Sequence, residues 1–510
     1  MSVFHTHDPR TGARIGPAVH EDGPAEVDIA VAGAQQASAH FADLEPAARA
    51  RLLEHIADAL DAAAEELVAR ADAETALGTT RLTGELARTT GQLRAFSGVV
   101  RDGAHLGVVI DHADASRTPP QPDLRRTLVP LGPVAVFGAS NFPLAFGVAG
   151  GDTASALAAG CPVIAKAHPS NAGTSALVAE VIAGSLAARG LPQGVFSLLQ
   201  GAGHALGAAL VTHPDIAAVG FTGSLAGGRA LFDLAAARAV PIPVFAEMGS
   251  HNPVWVTPAA LALRGPQIAA AIGASATLGA GQFCTKPSVV FLPADDVVSA
   301  DTFGAALTEA MAAATMPPML DARITAAFLD RRARLRAIDG VRSFDAAESE
   351  PGAPGATVLR CDLTTWRTSE LVREECFGPL VVVVPVPAAE LASTTGDVPG
   401  GLTASLWSEP SEPADLAVAR EIVERVTSRV GRVLHDGVPT GVAVSWAQQH
   451  GGPYPATTAA STTSVGMHAI DRFLRPVAYQ DMPAALLPAR LHDDNPWRLP
   501  RRVDGVLELP

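Results

Sequence analysis

The sequence predicts an α/β chain of two successive doubly wound units with short extended segments outside them. Three observations carry this. From residue 130 onward, apolar runs of four to six residues alternate with Ala-rich stretches of helical period. The alternation runs twice, breaking near residue 248. At 510 residues the chain exceeds one ordinary domain, and 48% apolar residues can fill large cores.

In chain order, residues 46–72 form an amphipathic helix, with Leu52, Leu53, Ile56, Leu60, Leu67 and Val68 on one face. Helical pattern continues over 85–102. Residues 111–127, DHADASRTPPQPDLRRT, are polar and Pro-rich and read as an extended excursion. The first alternating series places strands at 133–138, 162–166, 195–199, 217–221 and 243–247, with helices at 143–159, 173–189, 203–212 and 225–239. The second places strands at 253–256, 287–293, 380–385 and 432–435, with helices at 266–280, 302–314 and 414–429. The run 344–356, FDAAESEPGAPGA, reads as a surface loop, and 480–510 as an arm rather than a domain. Parallel sheets of this kind bind ligands beyond the carboxyl ends of their strands.

Composition narrows the function. The net charge of −15 and the absence of a basic run argue against nucleic acid or an anionic membrane surface as partner. Charged residues are 17%, below the usual ~25%, which excludes a disordered chain. The start, MSVFHTHDPRTG, lacks the pattern of a signal peptide, and no apolar stretch reads as a membrane span. Four cysteines without metal or disulfide spacing complete the expectation of a reducing, cytoplasmic setting with no metal. Of 37 basic residues only Lys166 and Lys286 are lysines. Arg cannot imitate a compact ammonium, so those two positions stand out.

Four sites offer chemistry. Cys161 reads as core packing, and Cys361 and Cys376 have no partner motif. Cys284 follows an Ala/Gly helix in the run Gly281-Gln282-Phe283-Cys284-Thr285-Lys286-Pro287, where a sulfur is either packed or exposed. Glu247 ends an apolar strand, where partial burial would raise its pKa toward general-base range, or an Arg would pair with it. Asn141 stands at a strand-to-helix turn, able to cap the helix or to donate to an oxyanion. Gly223 and Ser224 lead into a helix start that would suit phosphate, although no GxGxxG is present.

The ordered set is more telling than its members. Ser140-Asn141-Phe142-Pro143-Leu144, Lys166, Phe221-Thr222-Gly223-Ser224, Glu247-Met248-Gly249, Gly281-Gln282-Phe283-Cys284 and Glu375-Cys376-Phe377-Gly378-Pro379 together resemble the aldehyde dehydrogenase superfamily over nearly the whole chain. The resemblance implies an aldehyde dehydrogenase-like fold, with a cofactor-binding domain (1–110 and 128–248), a catalytic domain (249–447) and a small β oligomerisation arm (111–127 and 480–510). It implies Cys284 as nucleophile, Glu247 as general base and Asn141 with the Cys284 N–H as oxyanion donors. Lys166 would meet the adenosine ribose, Ser224 beside Gly223 the pyrophosphate and Glu375 the nicotinamide ribose, with Phe377 near the nicotinamide. A homodimer or homotetramer is implied too.

Departures from the commoner pattern include Ser140 before Asn141, Ser250-His251 after Gly249, and Gly150 where a lysine is frequent. They bear on proton traffic and pocket shape rather than on reaction class. The segments Lys166-Ala167-His168-Pro169, Gly281–Pro287, His450-Gly451-Gly452-Pro453-Tyr454-Pro455-Ala456-Thr457, Thr462–Gly466 and Arg472-Phe473-Leu474-Arg475-Pro476 look like those of the 2,5-dioxopentanoate (α-ketoglutarate semialdehyde) dehydrogenase branch. A bacterial NADP-dependent fatty aldehyde dehydrogenase is similar in the same places, which leaves a fatty or general aldehyde as the alternative substrate. A noncatalytic dinucleotide-binding protein is the remote one. Pro169 stands where many NAD-specific relatives carry a glutamate, so NADP is expected beside NAD, drawn by Lys166 and His168. Arg94 and Arg475 are the candidate anchors for a substrate carboxylate.

Overall fold

The computed structural model describes residues 2–294, 297–346 and 353–510. Five strands, Val134–Phe137, Val163–Lys166, Phe196–Leu199, Ala218–Thr222 and Val244–Glu247, form one wholly parallel sheet in the order 3-2-1-4-5. Side-chain alternation explains why both faces are covered. Val134, Val136, Val163 and Ala165 point into a core shared with helices Pro46–Ala62, Thr79–Asp102 and Ala172–Ala188. Ala135, Phe137, Ile164 and Val219 point the other way, toward helices Pro24–Ala42 and His204–Thr212.

The second sheet has seven strands. Thr357–Arg360, Leu380–Val386, Val289–Pro293, Val254–Val256, Gly401–Trp407 and Val430–His435 lie parallel in that spatial order. Arg342–Asp345 adds an antiparallel edge. Its core centres on Trp255 stacked on Phe291, with Trp366 edge-on to Phe291.

A third sheet joins Leu474–Gln480, Leu124–Pro130, Val108–Asp111, Arg501–Val503 and Val506–Glu508. It takes in more chain than 111–127 and 480–510. Part of the expected loop at 344–356, residues 347–352, lies outside the described residues. Val3–His7 and Arg14–His20 form a hairpin with no counterpart in the sequence reading.

Two helical expectations change. The pattern over 46–72 is two helices, Pro46–Ala62 and Ala64–Thr75. The helix expected over 143–159 begins only at Gly151. Before it the chain turns back, Ala139 N donating to Phe146 O and Phe146 N to Phe142 O. A Cβ at Gly147 would sit 1.9 Å from the Pro143 carbonyl oxygen, so only glycine allows this turn.

Candidate active site

Five of the expected residues lie at the carboxyl edge of the five-stranded sheet. Asn141 follows Val134–Phe137, Lys166 and Glu247 end their strands, and Gly223-Ser224 follow Ala218–Thr222. Cys284 comes from the other unit, after helix Pro258–Thr277 and a tight turn in which Gly279, Ala280 and Gly281 all have positive φ. A Cβ at Gly281 would meet the Gly378 carbonyl carbon at 2.3 Å. That close approach packs the Cys284 loop against the segment bearing Glu375 and Phe377.

Glu247 and Cys284 meet in one cluster with a third residue, His450, which the sequence reading held only as part of a motif. His450 Nε2 lies 3.6 Å from Cys284 Sγ and 3.1 Å from Glu247 Oε1. The latter is contact by distance rather than an aligned hydrogen bond. Ser464 Oγ donates to Glu247 Oε2, and His450 N donates to Thr463 Oγ1 at 2.8 Å. His450 and Glu247 are almost wholly buried.

The electrostatics correct one expectation. Burial alone would push Glu247 up, but His450 beside it and hydrogen bonds from Ser464 and Cys284 hold it below its ordinary carboxylate value. Burial, then the charge of Glu247, pushes the Cys284 thiol well above its ordinary value. The proton therefore rests on sulfur and the carboxylate is ionised, which suits a base facing its nucleophile.

The Asn141 amide is no helix cap. It donates to the Gln282 carbonyl at 3.0 Å, beside the Cys284 turn. Asn252 is a second asparagine that sequence reasoning missed. Its Nδ2 donates to Cys284 O at 2.8 Å and Lys286 O at 2.9 Å, while Oδ1 accepts from Ser250 and Thr403. Its φ of +48° is one that asparagine tolerates. Glu85, also missed, accepts from Leu144 N and Ala145 N and so fixes the Asn141 turn. A buried acidic residue inside an apolar helical pattern was the available signal for it.

The surroundings of the sheet edge fit a dinucleotide. Ser224 caps helix Leu225–Ala236 from an exposed position, accepting from Gly227 N at 3.1 Å and leaving other first-turn N–H groups toward solvent. Burial lowers Lys166 to about 8. Glu375, half-buried beside Gly249 and accepting from Ser250 N, is pushed up by desolvation to about 7. His168 departs from its expected part. Burial and Lys166 drive it down to about 4, and its Nδ1 accepts from Ser170 N, so it is a neutral cap on the turn Pro169–Asn171 rather than a cation for phosphate. Arg323 is the further cation whose charge acts on Lys166.

Lys286 is buried, donating to Ser288 Oγ at 2.8 Å and Leu380 O at 2.7 Å. The ligand atoms of Cys284, His450 and Glu247 lie within 4.8 Å of one another, so this set of S, N and O donors is able to hold a divalent ion, although no metal was expected. Neither candidate anchor reaches the cluster. Arg94 is on the surface, paired with Asp58 at 2.7 Å and Asp61 at 2.6 Å. Arg475 is exposed on the third sheet, opposite Val129.

A half-buried thiol meets a buried carboxylate and a buried imidazole between two parallel sheets, with an amide at the neighbouring turn. Residues 2–453 match the aldehyde dehydrogenase family, and the chain belongs to it. It is an NAD(P)-dependent aldehyde dehydrogenase. It is 47% identical to "Alpha-ketoglutaric semialdehyde dehydrogenase 2" of Azospirillum brasilense, over 99% of this chain and 96% of that one. It is 42% identical to "Alpha-ketoglutaric semialdehyde dehydrogenase" of Acinetobacter baylyi, over 94% and 91%. Among solved structures, lactaldehyde dehydrogenase from Escherichia coli superposes with a TM-score of 0.79 at 23% identity, covering 94% of this chain and 96% of that one. PnpE in complex with nicotinamide adenine dinucleotide gives 0.78 at 22%, covering 94% of each.

Proposed function

We propose that the protein oxidises 2,5-dioxopentanoate to 2-oxoglutarate, accepting NADP at least as well as NAD. The substrate reading is carried by two relatives of the same printed activity, similar over more than nine-tenths of this chain. Glu247, with His450, takes the Cys284 proton, and sulfur attacks the aldehyde carbon to give a thiohemiacetal. Its oxyanion is held by the Asn141 amide and the Cys284 N–H. A bound nicotinamide dinucleotide supplies the hydride acceptor that makes a thioester possible. Glu247 then activates the water that releases the acid.

Lys166 and Ser224 would hold the dinucleotide, with Glu375 and Phe377 at its nicotinamide end. Pro169 sets no carboxylate against a 2′-phosphate, and Lys166 with Arg323 offers positive charge there. Among the described residues no helix is long and apolar enough to cross a membrane, and all four cysteines are free, which supports a reducing cytoplasmic setting. The third sheet ends on Val506–Glu508, whose Val506 and Leu507 are exposed, an edge that a homodimer or tetramer would cover.

The test is kcat/KM for 2,5-dioxopentanoate, glutarate semialdehyde, hexanal and decanal with both cofactors. The oxo acid is expected to be the best substrate. Faster oxidation of decanal would establish a fatty aldehyde dehydrogenase instead, and a hundredfold preference for NAD would refute the cofactor reading.

A further inference from the structure

We propose that Arg88 and Arg432 form the carboxylate-binding end of the aldehyde site, in place of Arg94 and Arg475. The inference rests on the reading of the substrate as an oxo acid. Arg88 lies on helix Thr79–Asp102 and Arg432 on strand Val430–His435, distant in sequence. Both guanidinium groups hang on the backbone of one loop. Arg88 Nη1 donates to Val442 O, and Arg432 donates through Nη2 to Pro439 O at 2.5 Å and through Nη1 to Gly441 O at 3.3 Å. The Nε of each is buried and has no acceptor. Among the described residues neither forms an ion pair with a carboxylate, whereas Arg94 has two.

The two groups lie on the side of the nucleophile. Phe283, the residue before Cys284, packs edge-on against Phe142 with ring centroids 5.0 Å apart. Phe142 packs on Phe146 at 5.5 Å, and the Arg88 guanidinium lies 5.8 Å from the Phe146 ring. This aromatic row runs from the nucleophile's turn to Arg88. Burial weakens the hold of both arginines on their protons, the Glu85 carboxylate offsets this at Arg88, and a thiolate at Cys284, once formed, would act on both. Arg81, on the same helix face, is already engaged, donating to Asn141 O at 2.6 Å and covering Phe142 and Phe283.

A guanidinium taken out of water with unfilled donors is costly until an anion arrives. In 2,5-dioxopentanoate four carbon–carbon bonds separate the aldehyde carbon from the carboxylate carbon, about 5 Å when extended. An aldehyde carbon at Cys284 would thus send its carboxylate toward the aromatic row, on the side where half-buried Arg88 and Arg432 present Nε–H groups without an acceptor. A neutral aldehyde gains nothing from them, which makes the pair a determinant of specificity rather than of catalysis.

The experiment measures Arg88→Met, Arg88→Lys and Arg432→Met on 2,5-dioxopentanoate and on pentanal. Arg88→Met should lose about a hundredfold or more in kcat/KM on the oxo acid, chiefly through KM, and that loss should exceed the loss on pentanal by at least about thirtyfold. Arg432→Met should shift the same way, and Arg88→Lys should recover part of the KM. Equal losses on both substrates, or none on either, would overturn the proposal. If the wild type itself prefers pentanal, the substrate reading fails separately. The carboxylate site is then decided by calorimetry with 2-oxoglutarate. Binding at least about tenfold weaker in Arg88→Met supports it, and equal binding overturns it.

Discussion

At the scale of single residues, the site turns on where one proton rests. Cys284 is held as a thiol and Glu247 as a carboxylate, each partly by the other. Cys284→Ala is expected to abolish aldehyde oxidation while dinucleotide binding, followed by fluorescence, survives. Glu247→Gln separates the two duties of the carboxylate. Without its charge the thiol should ionise more easily, so the midpoint of iodoacetamide alkylation against pH moves down. Turnover should nevertheless fall by about a hundredfold or more, because no base remains for water. An upward move of the midpoint would contradict the assignment. That Cys284, Glu247 and Asn141 are worth singling out was legible because each stands within a motif, Glu247 at a strand end, Asn141 after one and Cys284 in the loop after a helix. His450 was not, because nothing in Gln449-His450-Gly451 states that the fold brings it 3.6 Å from a sulfur 166 positions away.

At the scale of elements, the Asn141 turn is held by Glu85 and the Cys284 loop by Asn252. Glu85 on helix Thr79–Asp102 accepts from Leu144 N and Ala145 N at 2.8 and 3.1 Å. Glu85→Ala leaves two buried donors unsatisfied, which costs about 1–3 kcal/mol apiece at most. It should also lower kcat by tenfold or so, because the Asn141 turn loses its anchor. Asn252→Ala should act likewise on the other side by freeing the carbonyls of Cys284 and Lys286. Urea unfolding and kcat measured on the same preparations check both. The five strands of the first sheet and four of the second were readable from alternation, while Arg342–Asp345, Thr357–Arg360 and Gly401–Trp407 were not. The helix start at Gly151 was not, because an apolar run from 143 to 150 has helical composition while Gly147 and Pro143 force a turn. The strands of the third sheet escaped for the opposite reason. Leu474–Gln480 and Leu124–Pro130 are half-exposed and carry Pro and Arg, so no apolar run marks them.

At the scale of the whole molecule, buried imidazoles tie folding to pH. Burial drives His105, His168 and His251 down from 6.5 to about 4 each. In the unfolded chain these rings take protons as pH falls through about 6.5, and in the folded chain they do so only near 4. The unfolded state therefore binds more protons across that window, and stability is present above it and lost as pH falls through it. Glu375, raised by burial to about 7, opposes this, since it takes its proton in the folded state first. Glu85 and Asp22, also raised by burial, work in the direction of Glu375. The difference between wild type and a single variant isolates one ring from these opposing groups. His105 lies between the helical layer and the third sheet, far from the nucleophile's turn in the chain, with both ring nitrogens buried. In His105→Gln the stability difference from wild type should therefore shift in the variant's favour by up to about 1.4 kcal/mol for each pH unit below 6.5, and stay constant above it. Urea unfolding of both proteins at pH 8, 7, 6 and 5 reads this directly. A difference that grows above pH 7, or that stays flat down to pH 5, would mean that His105 carries its proton in the folded chain.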